Sequence, residues 1–356
     1  MLSEVYSSLR PLFILSSMTG LFFFKIDYKT SSIVTSIWNK ITILATFIIY
    51  IIGCWFYLKS ELISKLFSTK LSKISSNILI GIDCAFIIVA MMWTLIKRGK
   101  ILQMLIKLSE IDDNLCEAGL KINYKSLKNK LIALIGFILL FLISQVGITM
   151  VISIHLMKFQ LIGVIICIYN YLIFIIGIVL VSQYAVYMYN IGTRFEMMNL
   201  CIENSLRNTP KTHLKIAECV NIYNSIYGLP MMGTFAIFLI WYIIASSKLV
   251  LAPEINMFST IALTFNISTT AIALCFTIFA AEKILIAKQK SIHLLYSKLD
   301  KEPGKSDKII NLIMQIRHTN VGFSCKFFEF NWSLMFKFAS ACVMYLVILI
   351  QFEGGM

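Results

Sequence analysis

Seven apolar runs, each long enough to cross a bilayer as a helix, constrain this chain more than any other feature. They fall near residues 38–58, 76–97, 131–156, 161–189, 229–250, 256–281 and 332–353. About twenty residues of helix rise about 30 Å, the thickness of the hydrocarbon core, where only helices and closed barrels satisfy their own backbone. The expected fold is therefore an all-α integral membrane protein with seven transmembrane helices. Composition agrees: 58% of residues are hydrophobic and 14% charged, against about 25% charged in soluble domains. The fourth run is too long for hydrocarbon alone. Tyr184, Tyr187 and Tyr189 near its end predict passage through an aromatic belt into a helix that continues in water. Before the first span, Arg10, Pro11 and the run Leu12 to Phe24 imitate a signal peptide. That run ends at Lys25 without a small-residue cleavage site, so it is expected to remain and to lie at the interface or against the bundle.

Basic residues set the orientation, because Lys and Arg collect in cytoplasmic loops. The N-terminal segment and the second, fourth and sixth connections together hold 25 of the 32 Lys and Arg residues. The N-terminus is therefore expected inside and the C-terminus outside. A seven-helix G-protein-coupled receptor has the reverse orientation. Neither an Asp/Glu-Arg-Tyr triplet after the third run nor Asn-Pro-x-x-Tyr in the seventh is present. A secondary transporter predicts an internal repeat and paired Gly/Pro-broken helices; only Pro230 touches a span, at its edge, and no repeat is visible. The net charge of +14 lies between apolar runs rather than on one basic face, which makes the lipid bilayer the partner and not nucleic acid. Nine cysteines without a CxxC, and four scattered histidines, predict neither a disulfide framework nor a metal site. No cofactor is expected, and no clustered His/Asp or Cys/His constellation suggests an enzyme.

The last run ends in polar Gln351, which needs a partner at the edge of hydrocarbon. Counting back by three and four residues gives Ile348, Met344, Ala341 and Lys337, all near one helix face. Tyr345, the apolar residues Leu346 to Ile350, Gln351 and Phe352 resemble the C-terminal signature of insect gustatory receptors, in which Thr-Tyr precedes five apolar residues and Gln-Phe. Met344 stands at the Thr position. Phe328, Asn331 and Leu334 are similar to the lead-in of the same signature. The resemblance implies a ligand-gated cation channel, a homotetramer or a heteromer with related chains. The last helix would line a shared pore, with Ala341, Met344, Ile348, Gln351 and Phe352 at the pore or gate. It divides the chain into an N-terminal segment and six-helix bundle (1–281), cytoplasmic anchor helices (282–330) and a pore helix (331–356). Ile284 to Leu299 and Lys308 to Phe328 read as two helices split by Glu302-Pro303-Gly304. Ile309, Leu312, Ile313 and Ile316 recur there at helical spacing, and the resemblance makes these helices the tetramer anchor.

Asp83 is the one acid well inside a span, and such acids are rare and face protein or water. It reads as a ligand or ion contact, or as a hydrogen-bond partner of a neighbouring helix. On the same outer level lie Phe86, then Gln145 and Thr149, then Tyr169 and Asn170. Phe238, Trp241 and Tyr242 follow on the fifth span, and Thr264 and Phe265 on the sixth. Small-ligand sites are apolar clefts with a few placed polar groups. The resemblance puts a tastant pocket here, while ordinary packing is the alternative for each residue. Sugar-sensing relatives often carry an acid just after the signature Tyr, where this chain has Leu346. That difference tilts the ligand towards a bitter or deterrent compound, with sugar-type gustatory and odorant receptors as alternatives. The implied location is the plasma membrane of a sensory neuron. Lys337, near the cytoplasmic mouth, reads as pore-facing, as snorkelling to the interface, or as paired with Glu329. The sequons Asn266-Ile-Ser268 and Asn331-Trp-Ser333 are expected to stay unmodified.

Overall fold

The computed structural model describes residues 2–19, 21, 25–27, 32–34, 37–59, 70–157, 161–204, 206, 208–251, 257–325 and 327–354. Among them ten α-helices form: α1 (Leu2–Met18), α2 (Ile37–Lys59), α3 (Lys70–Ile96), α4 (Arg98–Glu117), α5 (Tyr124–Met157), α6 (Leu161–Asn204), α7 (Thr209–Leu251), α8 (Met257–Lys301), α9 (Ser306–His318) and α10 (Trp332–Gly354). Helices α2, α3, α5, α6, α7, α8 and α10 carry the seven apolar runs. The one sheet among the described residues is an antiparallel hairpin, β1 (Lys25–Asp27) with β2 (Ser32–Val34).

The long helices organise everything else. α6, α7 and α8 have 44, 43 and 45 residues, about 65 Å each at 1.5 Å per residue. That is roughly twice the hydrocarbon thickness, so each continues far beyond the membrane. The fourth run was expected to do this. In α7 and α8 the apolar signal covers only the membrane half, because Lys211, Lys215, Glu218, Lys283 and Lys288 interrupt hydrophobicity without interrupting the helix. α6 packs most extensively on α8, and α7 lies against α4, α6, α10 and α3.

Pro230, at the edge of the apolar run, lies inside α7, because the helix begins already at Thr209. Proline has no N–H, so the carbonyl four residues back is orphaned. That carbonyl belongs to Ile226, and it accepts a hydrogen bond from Trp93 Nε1 of α3 at 2.6 Å. The helix therefore continues, and a side chain from its neighbour closes the gap. α4 ends differently. Gly119 adopts φ +86°, Gly119 N bonds Cys116 O at 2.9 Å and Leu120 N bonds Leu115 O at 3.0 Å. This left-handed cap suits glycine, which has no Cβ to clash.

α1 packs on α5, α4 and α6, burying Val5, Leu9, Leu12 and Phe13, and Gln183 of α6 donates from Nε2 to Ser16 Oγ. The N-terminal apolar run is thus part of the bundle. Tyr184 and Tyr187 overturn the aromatic-belt expectation. Both are buried and meet Tyr227 of α7, Tyr184 tilted with centroids 5.2 Å apart and Tyr187 stacked at 5.5 Å. α6 passes directly from membrane into a packed cytoplasmic bundle, so these rings meet protein instead of headgroups.

That cytoplasmic bundle is tied by polar contacts. Arg194 of α6 grips Asp112 of α4 through Nε–Oδ1 at 2.7 Å and Nη2–Oδ2 at 2.8 Å, and Tyr124 OH donates to Asp112 Oδ2 at 2.7 Å. Burial opposes the guanidinium charge, but the Asp112 carboxylate beside it more than offsets this and raises the Arg194 pKa. Lys107 of α4 bridges to Glu218 of α7 at 2.9 Å, and Lys215 to Glu110 at 3.1 Å.

The turn at 302–304 appears as a 3-10 turn, Pro303–Lys305, leading into α9. α9 stops at His318, well before the expected end at Phe328, because Thr319 turns extended (φ −84°, ψ 123°). Ile309, Leu312, Ile313 and Ile316 are all buried where α9 packs on α8 and α7. This corrects their expected role: they dock α9 onto its own chain.

Candidate functional site

Two places gather the residues singled out from the sequence: the middle of α3 against α7, and the outward face of α10. At the first, Asp83 is 3% exposed. Its Oδ2 accepts a hydrogen bond from Trp241 Nε1 of α7 at 2.8 Å. Its Oδ1 is buried without a hydrogen-bond partner. Next to it, Cys84 Sγ lies 3.6 Å from the Tyr50 carbonyl of α2, which ties α3 to a third helix. Phe86, one turn along α3, lies over Gly233 of α7. A Cβ on Gly233 would sit 2.3 Å from Phe86 Cε2, so glycine lets this ring and the α7 backbone approach.

Phe238 is buried and faces Gly177 of α6, where an added Cβ would lie 3.8 Å from its ring. Trp241 and Tyr242 are half-buried. The structure thus joins Asp83 to Trp241 and sets Phe86 against Gly233 of the same helix α7, whereas Phe238 turns towards α6. Phe265 is half-buried, whereas Thr264 is exposed. Gln145, Thr149, Tyr169 and Asn170 occupy helical positions of α5 and α6, but their side chains lie outside the described residues.

Sequence reasoning missed the contacts that link this cluster to α10. Tyr242 meets Phe338 of α10 edge-on, with centroids 6.3 Å apart and planes at 80°. Phe235 of α7 meets Phe338 at 6.4 Å and Phe330 at 5.4 Å. Consecutive residues of α7 therefore divide their contacts, Trp241 to the buried carboxylate and Tyr242 to α10. Only the tertiary crossing of α7 and α10 makes this visible. Gly233 likewise carries no sequence signal of its own.

On α10 a narrow packed face contrasts with a broad uncovered one, which includes Phe336, Val343 and Val347. Leu334, Met335 and Phe338 pack on the core, and Cys342 is buried. The other face leaves Ser333, Lys337, Ser340, Met344, Ile348 and Gln351 exposed, with Ala341 half-buried; Met344 is 55% exposed. Ser333, Phe336, Lys337, Ser340, Ala341 and Met344 line an open hollow of about 710 Å³. Tyr345 of the C-terminal signature is also exposed. The Phe352 side chain lies outside the described residues. Lys337 points outward, and among the described residues it forms no ion pair with Glu329 or any other acid. Among the described residues, no group of three or more His, Cys, Asp and Glu side chains is placed to hold a metal ion.

The profile of a family described as the 7tm chemosensory receptor matches residues 9–353. No curated protein sequence matches significantly. Among solved structures, the insect olfactory receptor OR5 from Machilis hrabei superposes with a TM-score of 0.70 at 13% identity, over 98% of this chain and 99% of that one. The same receptor in complex with eugenol gives a TM-score of 0.71 at 12% identity over the same shares.

Proposed function

The chain belongs to the 7tm chemosensory receptor family, and on that premise we propose that it is a gustatory receptor, a tastant-gated non-selective cation channel. The fold is that of OR5, which sets aside the G-protein-coupled receptor and the secondary transporter as architectures. The observation that carries the channel reading is the division of α10. One face holds it to α7, and the other leaves the stripe Lys337, Ala341, Met344, Ile348 and Gln351 without cover from its own chain. Between Lys337 at its inner end and the Gln351 amide at its outer end the stripe is apolar, the composition of a constriction that closes by dewetting. Four copies, in a homotetramer or a heteromer with related chains, would put that stripe around a common axis.

The ligand side of the reading rests on Asp83, Phe86, Phe238 and Trp241. A small molecule that binds beside Trp241 presses on the same turn of α7 as Tyr242, which touches Phe338 of α10. This gives binding a short mechanical route to the pore helix. OR5 has been solved with eugenol, a small molecule, in the same fold. Leu346 after Tyr345 favours a bitter or deterrent compound over a sugar. The proposed location is the plasma membrane of a sensory neuron.

Whole-cell recording from cells expressing the chain, against a panel of sugars, alkaloids, glycosides and volatile odorants, tests this reading. Cation current evoked by bitter compounds is expected. Responses confined to odorants would move the chain to the olfactory branch, and responses confined to sugars would overturn the bitter assignment.

A further inference from the structure

Asp83 sits halfway along α3, 3% exposed, with one carboxylate oxygen bonded to Trp241 and the other without a donor. A buried carboxylate oxygen left unpaired is costly, and an acid inside a span that is not neutralised by a basic partner marks a functional site by default. Among the described residues no Lys, Arg or His forms an ion pair with it. Its surroundings are aromatic. Phe86 lies one turn along the same helix, and Trp241 reaches it from α7. Resting on the receptor reading above, we propose that Asp83 is the anchor for a protonated organic amine and that the ligand of this receptor belongs to that class.

The chemistry selects an organic ammonium over the alternatives. A metal cation needs six or more oxygen ligands for Ca²⁺ and near-ideal octahedral coordination for Mg²⁺, and this site offers one carboxylate. An ammonium carries one to three N–H donors, pairs in charge with a single carboxylate, and gains from aromatic faces within about 6 Å of its charge. Its hydrocarbon body would lie against Phe86 and Trp241, and its N–H would donate to Asp83 Oδ1. A neutral hydroxyl can also donate to that oxygen, but it brings no charge to balance the buried carboxylate, and an ionised donor makes the stronger bond. Trp241 Nε1 holds Oδ2 in place, so the free oxygen keeps one orientation.

The test uses the full-length receptor and matched pairs of probes: 2-phenylethylamine with 2-phenylethanol, tryptamine with tryptophol, and 4-phenylpiperidine with 4-phenyltetrahydropyran. Currents are recorded in cells, and thermal stability is measured on the detergent-solubilised protein. At least one amine is expected to open the channel and raise the melting temperature at concentrations tenfold or more below its neutral partner. Asp83→Asn should abolish that preference while keeping surface expression. A preference that survives Asp83→Asn, or no preference in the wild-type protein, overturns the proposal. If Asp83→Asn fails to reach the surface, wild-type melting with the same pairs decides alone. Stabilisation by amines without any current would keep the amine site and count against the channel. Currents evoked equally by the neutral partners would keep the channel and overturn the amine.

Discussion

Trp93 and Pro230 depend on one another although they are far apart in sequence. Pro230 removes the donor that the Ile226 carbonyl needs, and Trp93 Nε1 supplies one at 2.6 Å. Trp93→Phe should therefore leave a carbonyl unpaired and cost about 1–3 kcal/mol. Restoring the backbone donor with Pro230→Ala should make Trp93→Phe much less costly, and thermal melting of the four variants measures the coupling. Equal losses from Trp93→Phe in both backgrounds would contradict the account. His213 of α7 offers a pH test in the cytoplasmic bundle. Burial pushes it down to about 4, and the charge of Lys288 adds to the shift; its Nδ1 lies 3.3 Å from Gln315 of α9. A histidine depressed in the fold stays neutral there while the unfolded chain takes up a proton. Its contribution is therefore complete above the ordinary histidine value, near pH 6.5, and is lost as pH falls towards 4. His213→Gln should lose less stability than wild type across that window, measured as melting temperature against pH.

At the scale of elements, α9 shows how a helical repeat was legible while its partner was not. The spacing of Ile309, Leu312, Ile313 and Ile316 gave an amphipathic helix, and one forms at Ser306–His318. Nothing in that spacing says whether the apolar face meets another chain or its own, and it meets α8 and α7 of its own. Glu at Ile309 and Ile313 should therefore deplete folded protein and not release smaller assemblies. The face left free holds Ile310 and Met314, at 45% and 48% exposure, one turn apart. Ile310→Glu with Met314→Glu should preserve the fold and shift the proposed tetramer to smaller species on native gels. An unchanged assembly would remove α9 from the interface. The same limit applies to α7 and α8. Their membrane halves were plain from hydropathy, but their cytoplasmic halves are held by contacts such as Arg194–Asp112 and Lys107–Glu218, which no local pattern announces.

Across the whole molecule, seven spans, their orientation and the C-terminal signature could be read directly, because hydrocarbon thickness and charge bias act on each segment separately. Asp83 stood out for the same reason, as a lone acid in an apolar run. Its bond to Trp241, the close approach of Phe86 to Gly233, and the step from Trp241 to Tyr242 and Phe338 arise only when α3, α7 and α10 cross. The tyrosines of α6 were misread because a belt and a buried cluster share one composition. What joins these parts into a receptor is the claim that ligand binding beside α7 opens a pore lined by α10. Single cysteines at Met344, Ile348 and Gln351, each probed with a charged thiol reagent during whole-cell recording, test that claim most directly. The account predicts that current through all three variants is blocked rapidly when the reagent is applied with an activating ligand and slowly without it. Current that is indifferent to the reagent at all three positions, in both conditions, would contradict it.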